Sequence, residues 1–179
     1  MKFKNKNDYF HEGELAIQEK NGVLDYWTDE AINSLVFDKI NDKVRQFIES
    51  LPFFFISTSD DNGNCDCSFR GIEDNETSSL AVKVINDKTL VFPDFSGNNL
   101  FNSLGNMYVN PHIGMLFMDF QRAMRVRLNG NVRLLEDITP YQDLWPTALQ
   151  VIEVNVEQLY PNCSQRIHAS MKQHFSKGQ

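Results

Sequence analysis

Arg125-Val126-Arg127-Leu128-Asn129-Gly130-Asn131-Val132-Arg133-Leu134 alternates polar and apolar positions without a break. Successive side chains of a β-strand point to opposite faces, so Arg125, Arg127, Asn129, Asn131 and Arg133 share one face, and Val126, Leu128, Gly130, Val132 and Leu134 the other. Of the seven arginines in the chain, four lie between Arg122 and Arg133. Two readings of the polar face stay open. It is either a solvated sheet surface with acidic cross-strand partners or an anion-binding face, because arginine's planar fork of donors suits phosphate.

The flanking sequence reads as more antiparallel strands. Asn110-Pro111 leads into a strand from Ile113 to Asp119, and the arginine strand itself runs from Met124 to Leu135. Further upstream, Phe53 to Ser59 is a β-rich apolar run ending in Asp60-Asp61-Asn62-Gly63, a turn signal because Asn and Gly tolerate positive φ. The return strand, Asn64 to Arg70, sets Asp66, Ser68 and Arg70 on one face and Cys65, Cys67 and Phe69 on the other. A second hairpin joins Ala81 to Ile85 with Thr89 to Phe92, and Pro93 is expected to end it because proline cannot donate to a ladder. Val151 to Val156 supplies a last strand. Within Asp38 to Leu51, apolar residues at Ile40, Val44, Phe47, Ile48 and Leu51 step by three and four, marking a helix that Pro52 stops. Short helices are also expected near Asn98 to Met107 and Gln165 to Phe175. Roughly six strands joined mainly by hairpins predict a mainly β fold with short helices, an antiparallel sheet that curls or closes into a small barrel.

A chain of 179 residues fits one domain, 1–179, with a less regular lead over 1–30 whose apolar content suits docking on the barrel. The net charge of −7 argues against nucleic acid as a partner. No stretch approaches the roughly 18–20 apolar residues that span a bilayer, and no apolar segment follows Lys2, Lys4 and Lys6 as in a signal peptide, so a cytoplasmic protein without membrane contact is expected. Cys65, Cys67 and Cys163 are odd in number, and strand neighbours two apart lack disulfide geometry, so reduced thiols follow, with Cys65 and Cys67 expected as a buried pair. Cys65 and Cys67 with His112 or His168 lack zinc-site spacing, so no metal is expected. Neither a GxSxG elbow nor an HExxH helix is present, and no catalytic acid or base stands out among the carboxylates.

Two further features suit an anion. Ser68 and Arg70 share a strand face and offer a hydroxyl and a guanidinium, although a half-exposed strand would carry the same residues. The turn from Gly97 to Ser103 places backbone N–H groups and polar side chains at a helix N-terminus, as either an anion site or a plain cap. It is neither a Walker loop nor a dinucleotide fingerprint.

Thr89-Leu90-Val91-Phe92-Pro93-Asp94, the Asn/Ser-rich turn, Asn110-Pro111 followed by Gly114-Met115-Leu116-Phe117, and Arg125-Val126-Arg127-Leu128-Asn129-Gly130 occur in an order that resembles the pyridoxamine 5′-phosphate oxidase-like flavin-binding proteins, over about Phe47 to Glu136. His11-Glu12-Gly13-Glu14-Leu15 and Pro161-Asn162-Cys163 are similar to a branch of that group with mostly unassigned substrates. The resemblance implies an antiparallel split β-barrel forming a homodimer, with FMN in two interface clefts lined by both chains. It places Ser68 and Arg70 at the FMN phosphate and ribityl chain, and Phe92, Pro93 and Asp94 on the strand passing the flavin. Asn98, Asn99, Asn102 and Ser103 fall within the segment that replaces a Ser-Arg-Lys phosphate clasp. Arg125 replaces a cofactor-contacting Gln, and Arg127 follows on the same face. With both clasp cations absent, phosphate charge falls to Arg70, Arg125 or Arg127. Arg166-Ile167-His168 mimics the oxidase's substrate motif without its preceding Trp, so pyridoxamine phosphate is not carried over as substrate.

The expected function is an FMN-dependent oxidoreductase acting on a small molecule, with Arg125 as the cation beside the flavin N1–C2 edge. The alternatives are a non-catalytic flavin- or haem-binding module and a deazaflavin-dependent reductase.

Overall fold

The structure, a computed structural model, describes residues 5–72 and 80–161. Seven strands form one sheet: β1 (Phe53–Ser59), β2 (Cys65–Gly71), β3 (Lys83–Val84), β4 (Thr89–Asp94), β5 (His112–Asp119), β6 (Met124–Leu134) and β7 (Gln150–Pro161). Their order is β2-β1-β5-β6-β7-β4-β3, and every pairing is antiparallel. The α-helices among the described residues are α1 (Glu12–Lys20), α2 (Asp29–Leu35), α3 (Asp42–Glu49) and α4 (Asn102–Val109).

The sheet curls into a half-barrel around its apolar face. Phe54 of β1 lies edge-on against Phe92 of β4, with ring centroids 5.4 Å apart, although the two strands lie near opposite ends of the sheet order. Phe54 also stacks on Phe117 of β5 at 5.2 Å. Ile56, Leu90, Leu128, Ile152, Val154 and Leu159 join the same core, closed by Phe47 and Ile48 of α3 and Met107 of α4. Burial of such side chains stabilises the fold by about 1.5–3 kcal/mol each, before conformational entropy is subtracted.

Several boundaries differ from those the pattern suggests. Helix α3 is confined to Asp42–Glu49 because Asn41 caps it, its side chain accepting from the Val44 N–H at 3.0 Å, while Ile40 donates to the Asp87 carbonyl. Strand β3 keeps only Lys83 and Val84, since the N–H groups of Ile85 and Asn86 both turn to the Thr89 carbonyl. β4 continues through Pro93, which pairs with Val151. β3 pairs with β4 only at Leu90 and Val91, so Pro93 interrupts no ladder on that side. Helix α4 begins four residues late because Asn99 and Phe101 adopt left-handed backbone, and the Asn98 side chain accepts from the Leu100 N–H at 3.0 Å.

β7 runs to Pro161, past the expected end at Val156, because a bulge breaks its two-residue period. Asn129 pairs with Gln158 and Gly130 with Val156, which leaves Glu157 as an extra residue. Val156 and Leu159 are therefore both buried. Gly130 is required here, because a Cβ at this position would stand 2.3 Å from the Asn155 carbonyl oxygen.

The β1–β2 turn is as expected: Gly63 has φ +83°, and Asp60 accepts from the N–H groups of Asn62 and Asn64. Bonds from Asn64, side chain first, and then from Asn62 hold the Asp60 carboxyl below its ordinary range. The N-terminal lead is more regular than its sequence suggested. Helices α1 and α2 bring Phe10, Ile32 and Val36 together with Tyr9, Trp27 and Tyr160 of β7, and Phe37 bridges Leu159. The expected helix at Gln165 to Phe175 and the Arg166-Ile167-His168 segment lie outside the described residues.

Candidate functional site

Strand β2 inverts the usual burial of polar and apolar side chains. Asp66, Ser68 and Arg70 lie on the half-buried inner face, whereas Cys65, Cys67 and Phe69 are exposed, Phe69 by 61%. Cys65 and Cys67 are thus free surface thiols and not the buried pair the sequence suggested. The polar face turns inward because Asp66, Ser68 and Arg70 pair with Thr58, Ile56 and Phe54, which point into the barrel.

These three residues line a cavity of about 270 Å³ between β2, the end of β4 and the start of α4. Asp94, Gly97, Asn98, Asn99, Asn102 and Ser103 line it as well. The hydroxyls of Ser68 and Ser103 donate to Asp66 Oδ2 at 2.9 and 2.8 Å and lie 2.8 Å from each other. Arg70 pairs through one terminal nitrogen with Asp94 Oδ1. Its Nε is buried and has no hydrogen-bond partner among the described residues. A buried donor left unmet costs about 1–3 kcal/mol, so this nitrogen favours a ligand acceptor.

The other expected site residues lie elsewhere in the chain. Phe92 is wholly buried in the core and Pro93 is buried between strands, so neither lines the cavity. Arg127 pairs with Leu116, Leu116 with Phe55, and Arg125 with Met118, all on the outer face of the sheet. Arg70 lies on the inner face beside Phe54. Within one chain, therefore, the guanidinium groups of Arg70 and of Arg125 and Arg127 occupy opposite faces. Arg127 lies over the Tyr160 ring, 5.8 Å from its centre, and Arg133 has an acidic cross-strand partner, reaching Glu153 at 2.9 Å.

The sequence did not mark Asp66 as a site residue. Its signal was its place on the face of Ser68 and Arg70, but only the tertiary approach of Ser103 makes it the centre of the hydroxyl cluster. Beside Arg125 and Arg127 the outer face carries an aromatic patch in which Phe53 contacts Phe55, Phe69 and Phe120 at 5.9, 5.2 and 6.2 Å. His112 and Cys65 line a separate hollow of about 280 Å³. Among the described residues, no three His, Cys, Asp or Glu side chains cluster to hold a metal, and no helix is long and apolar enough to cross a membrane.

A family model described as pyridoxamine 5′-phosphate oxidase matches residues 40–163, more than half the chain. The chain belongs to this family. No curated protein matches the sequence. Among solved structures, HupZ from Group A Streptococcus superposes with a TM-score of 0.53 at 16% identity, covering 68% of this chain and 93% of that one. General Stress Protein 26 from Bacillus anthracis gives 0.51 at 15% identity, covering 67% and 91%. An FMN-binding protein from Syntrophomonas wolfei gives 0.50 at 10% identity, covering 86% and 98%. At these identities the likeness establishes the fold, an antiparallel split barrel of the oxidase type.

The cavity also bears on the cofactor the family implies. The unmet Nε of Arg70 and the serine hydroxyls suit the oxygen-rich tail of a flavin. At about 270 Å³ the cavity lies just below the usual range for whole ligands, about 300–1,000 Å³, so the tricyclic ring would rest outside it.

Proposed function

We propose that the protein is a flavin-dependent oxidoreductase acting on a small molecule. The observation that carries this reading is Arg70, fixed by Asp94 on the wall of the cavity between β2, β4 and α4 with a buried donor still unmet. A bound flavin would supply hydride chemistry at its ring. The chain's part is to hold and orient. Arg70, Ser68 and Ser103 grip the tail, and the segment from Asn98 to Asn102 walls the cleft.

Arg125 and Arg127 serve the same ligand only if a second copy brings them to it, because within one chain they face away from the cavity. We therefore propose a homodimer seated on the aromatic patch of Phe53, Phe55, Phe69 and Phe120. The cofactor then lies between copies, and Arg125 provides a fixed positive charge beside the ring. Exposed Cys65 and Cys67 suit a reducing compartment, which supports a cytoplasmic address.

The test is the visible spectrum of freshly purified protein, followed by NADH or NADPH under nitrogen. Flavin absorption that bleaches supports the proposal. Flavin that does not bleach with either donor favours a binding module, a Soret band favours haem, and a colourless protein favours deazaflavin or no cofactor.

A further inference from the structure

We infer that the cavity takes an uncharged, hydroxylated flavin tail in preference to a phosphorylated one, and that Asp66 sets this preference. The inference rests on the flavin reading above and specifies which form of flavin the site selects. Two carboxylates, Asp66 and Asp94, face one guanidinium, Arg70, so the cavity carries one net negative charge. Arg70 is already paired with Asp94 and is not a spare cation. The start of α4 attracts anions through its unpaired N–H groups, but Asp66 already stands beside it, accepting from Ser103 in the first turn.

The hydrogen-bonding roles point the same way. Both serine hydroxyls converge on Asp66 Oδ2, and no hydrogen bond among the described residues engages Oδ1. A ligand hydroxyl can donate to that oxygen and also accept from the Arg70 guanidinium, which spends only one terminal nitrogen on Asp94. An ionised phosphate has acceptors but too few protons to satisfy a carboxylate, and it brings negative charge against two others. A polyol such as the ribityl chain therefore matches the cavity, whereas a terminal phosphate meets the repulsion of two carboxylates, Asp66 and Asp94, against one guanidinium.

Titration of the apoprotein with riboflavin and with FMN, followed by quenching of flavin fluorescence, tests this in the wild type and in Asp66→Asn. The wild type is expected to bind riboflavin at least as tightly as FMN. Asp66→Asn, which removes charge but keeps shape, is expected to move the affinity ratio about tenfold toward FMN, a change of about 1.4 kcal/mol. A wild-type preference for FMN of tenfold or more overturns the inference while leaving the flavin reading intact, as does a ratio unmoved in a folded Asp66→Asn. Binding of neither flavin overturns both. Should the variant fail to fold, the wild-type ratio decides.

Discussion

Arg70 of β2 and Asp94 of β4 form an ion pair that joins the first strand of the sheet order to the last but one. The pair closes the mouth of the half-barrel above the Phe54–Phe92 contact and fixes one wall of the cavity. Their side chains are 19% and 10% exposed, so removing one partner strands a partly desolvated charge. Asp94→Ala is expected to cost about 2–4 kcal/mol, somewhat below the range for fully buried pairs. For a domain of this size that is a fall of roughly 4–16 °C in Tm, measurable by calorimetry.

Gly130 lies at the bulge where β6 and β7 change register. Because an added Cβ would stand 2.3 Å from the Asn155 carbonyl oxygen, Gly130→Ala must push the two strands apart. The expected loss is about 1–3 kcal/mol in urea denaturation. Gly97→Ala, where an added Cβ meets nothing within 4 Å, is the control and is expected to change stability little.

Tyr9 reports the docking of the N-terminal lead on β7. Burial, reinforced by Tyr160 and Glu14 and opposed by Arg127, pushes its phenol from an ordinary 10.0 up to about 12. With a folded pKa above the unfolded one, Tyr9 has no effect on stability below about pH 10, where both states hold the proton. Between about 10 and 12 the unfolded chain releases that proton while the native one keeps it, so stability falls as pH rises. The difference between wild type and Tyr9→Phe in denaturant unfolding at pH 9, 10, 11 and 12, about one pH unit apart, isolates this slope. No difference in slope would falsify the burial of Tyr9.

Phe69 is the most exposed member of the outer aromatic patch. If a second copy covers it, Phe69→Asp weakens self-association by about 2 kcal/mol or more, as expected for an aromatic anchor at an interface. Light scattering should show the wild type as a dimer and the variant as a monomer with an unchanged circular dichroism spectrum. A wild type that is monomeric at every concentration rules out the proposed interface.

Arg125→Ala is expected to lower the two-electron potential of bound flavin by about 30 mV, a tenfold change in equilibrium. Spectroelectrochemistry of the loaded protein reads this directly. An unchanged potential with flavin still bound removes Arg125 from its assigned role.

Much of the fold was legible because strand and helix periodicities are local properties of the chain. The alternation of Arg125 to Leu134 predicted β6, and Asn62-Gly63 predicted the first hairpin. Ser68, Arg70 and the residues of the Asn98–Ser103 turn were marked in the sequence and do meet around one cavity. The length of β7 was hidden because a bulge shifts its inward positions, and a bulge is a relation between two strands. The start of α4 was hidden by the side-chain bond of Asn98 and the left-handed residues beside it.

What the sequence determined alone was the kind of molecule: strands, turns, an antiparallel sheet, and a family whose order of segments survives in the chain. What only the tertiary structure decided was which face of each strand points inward. Alternation divides side chains into two sets, but curling buries one set and exposes the other. That choice sends Arg70 into the barrel and Arg125 away from it, and places a carboxylate, Asp66, at the centre of the cavity the arginines were expected to fill.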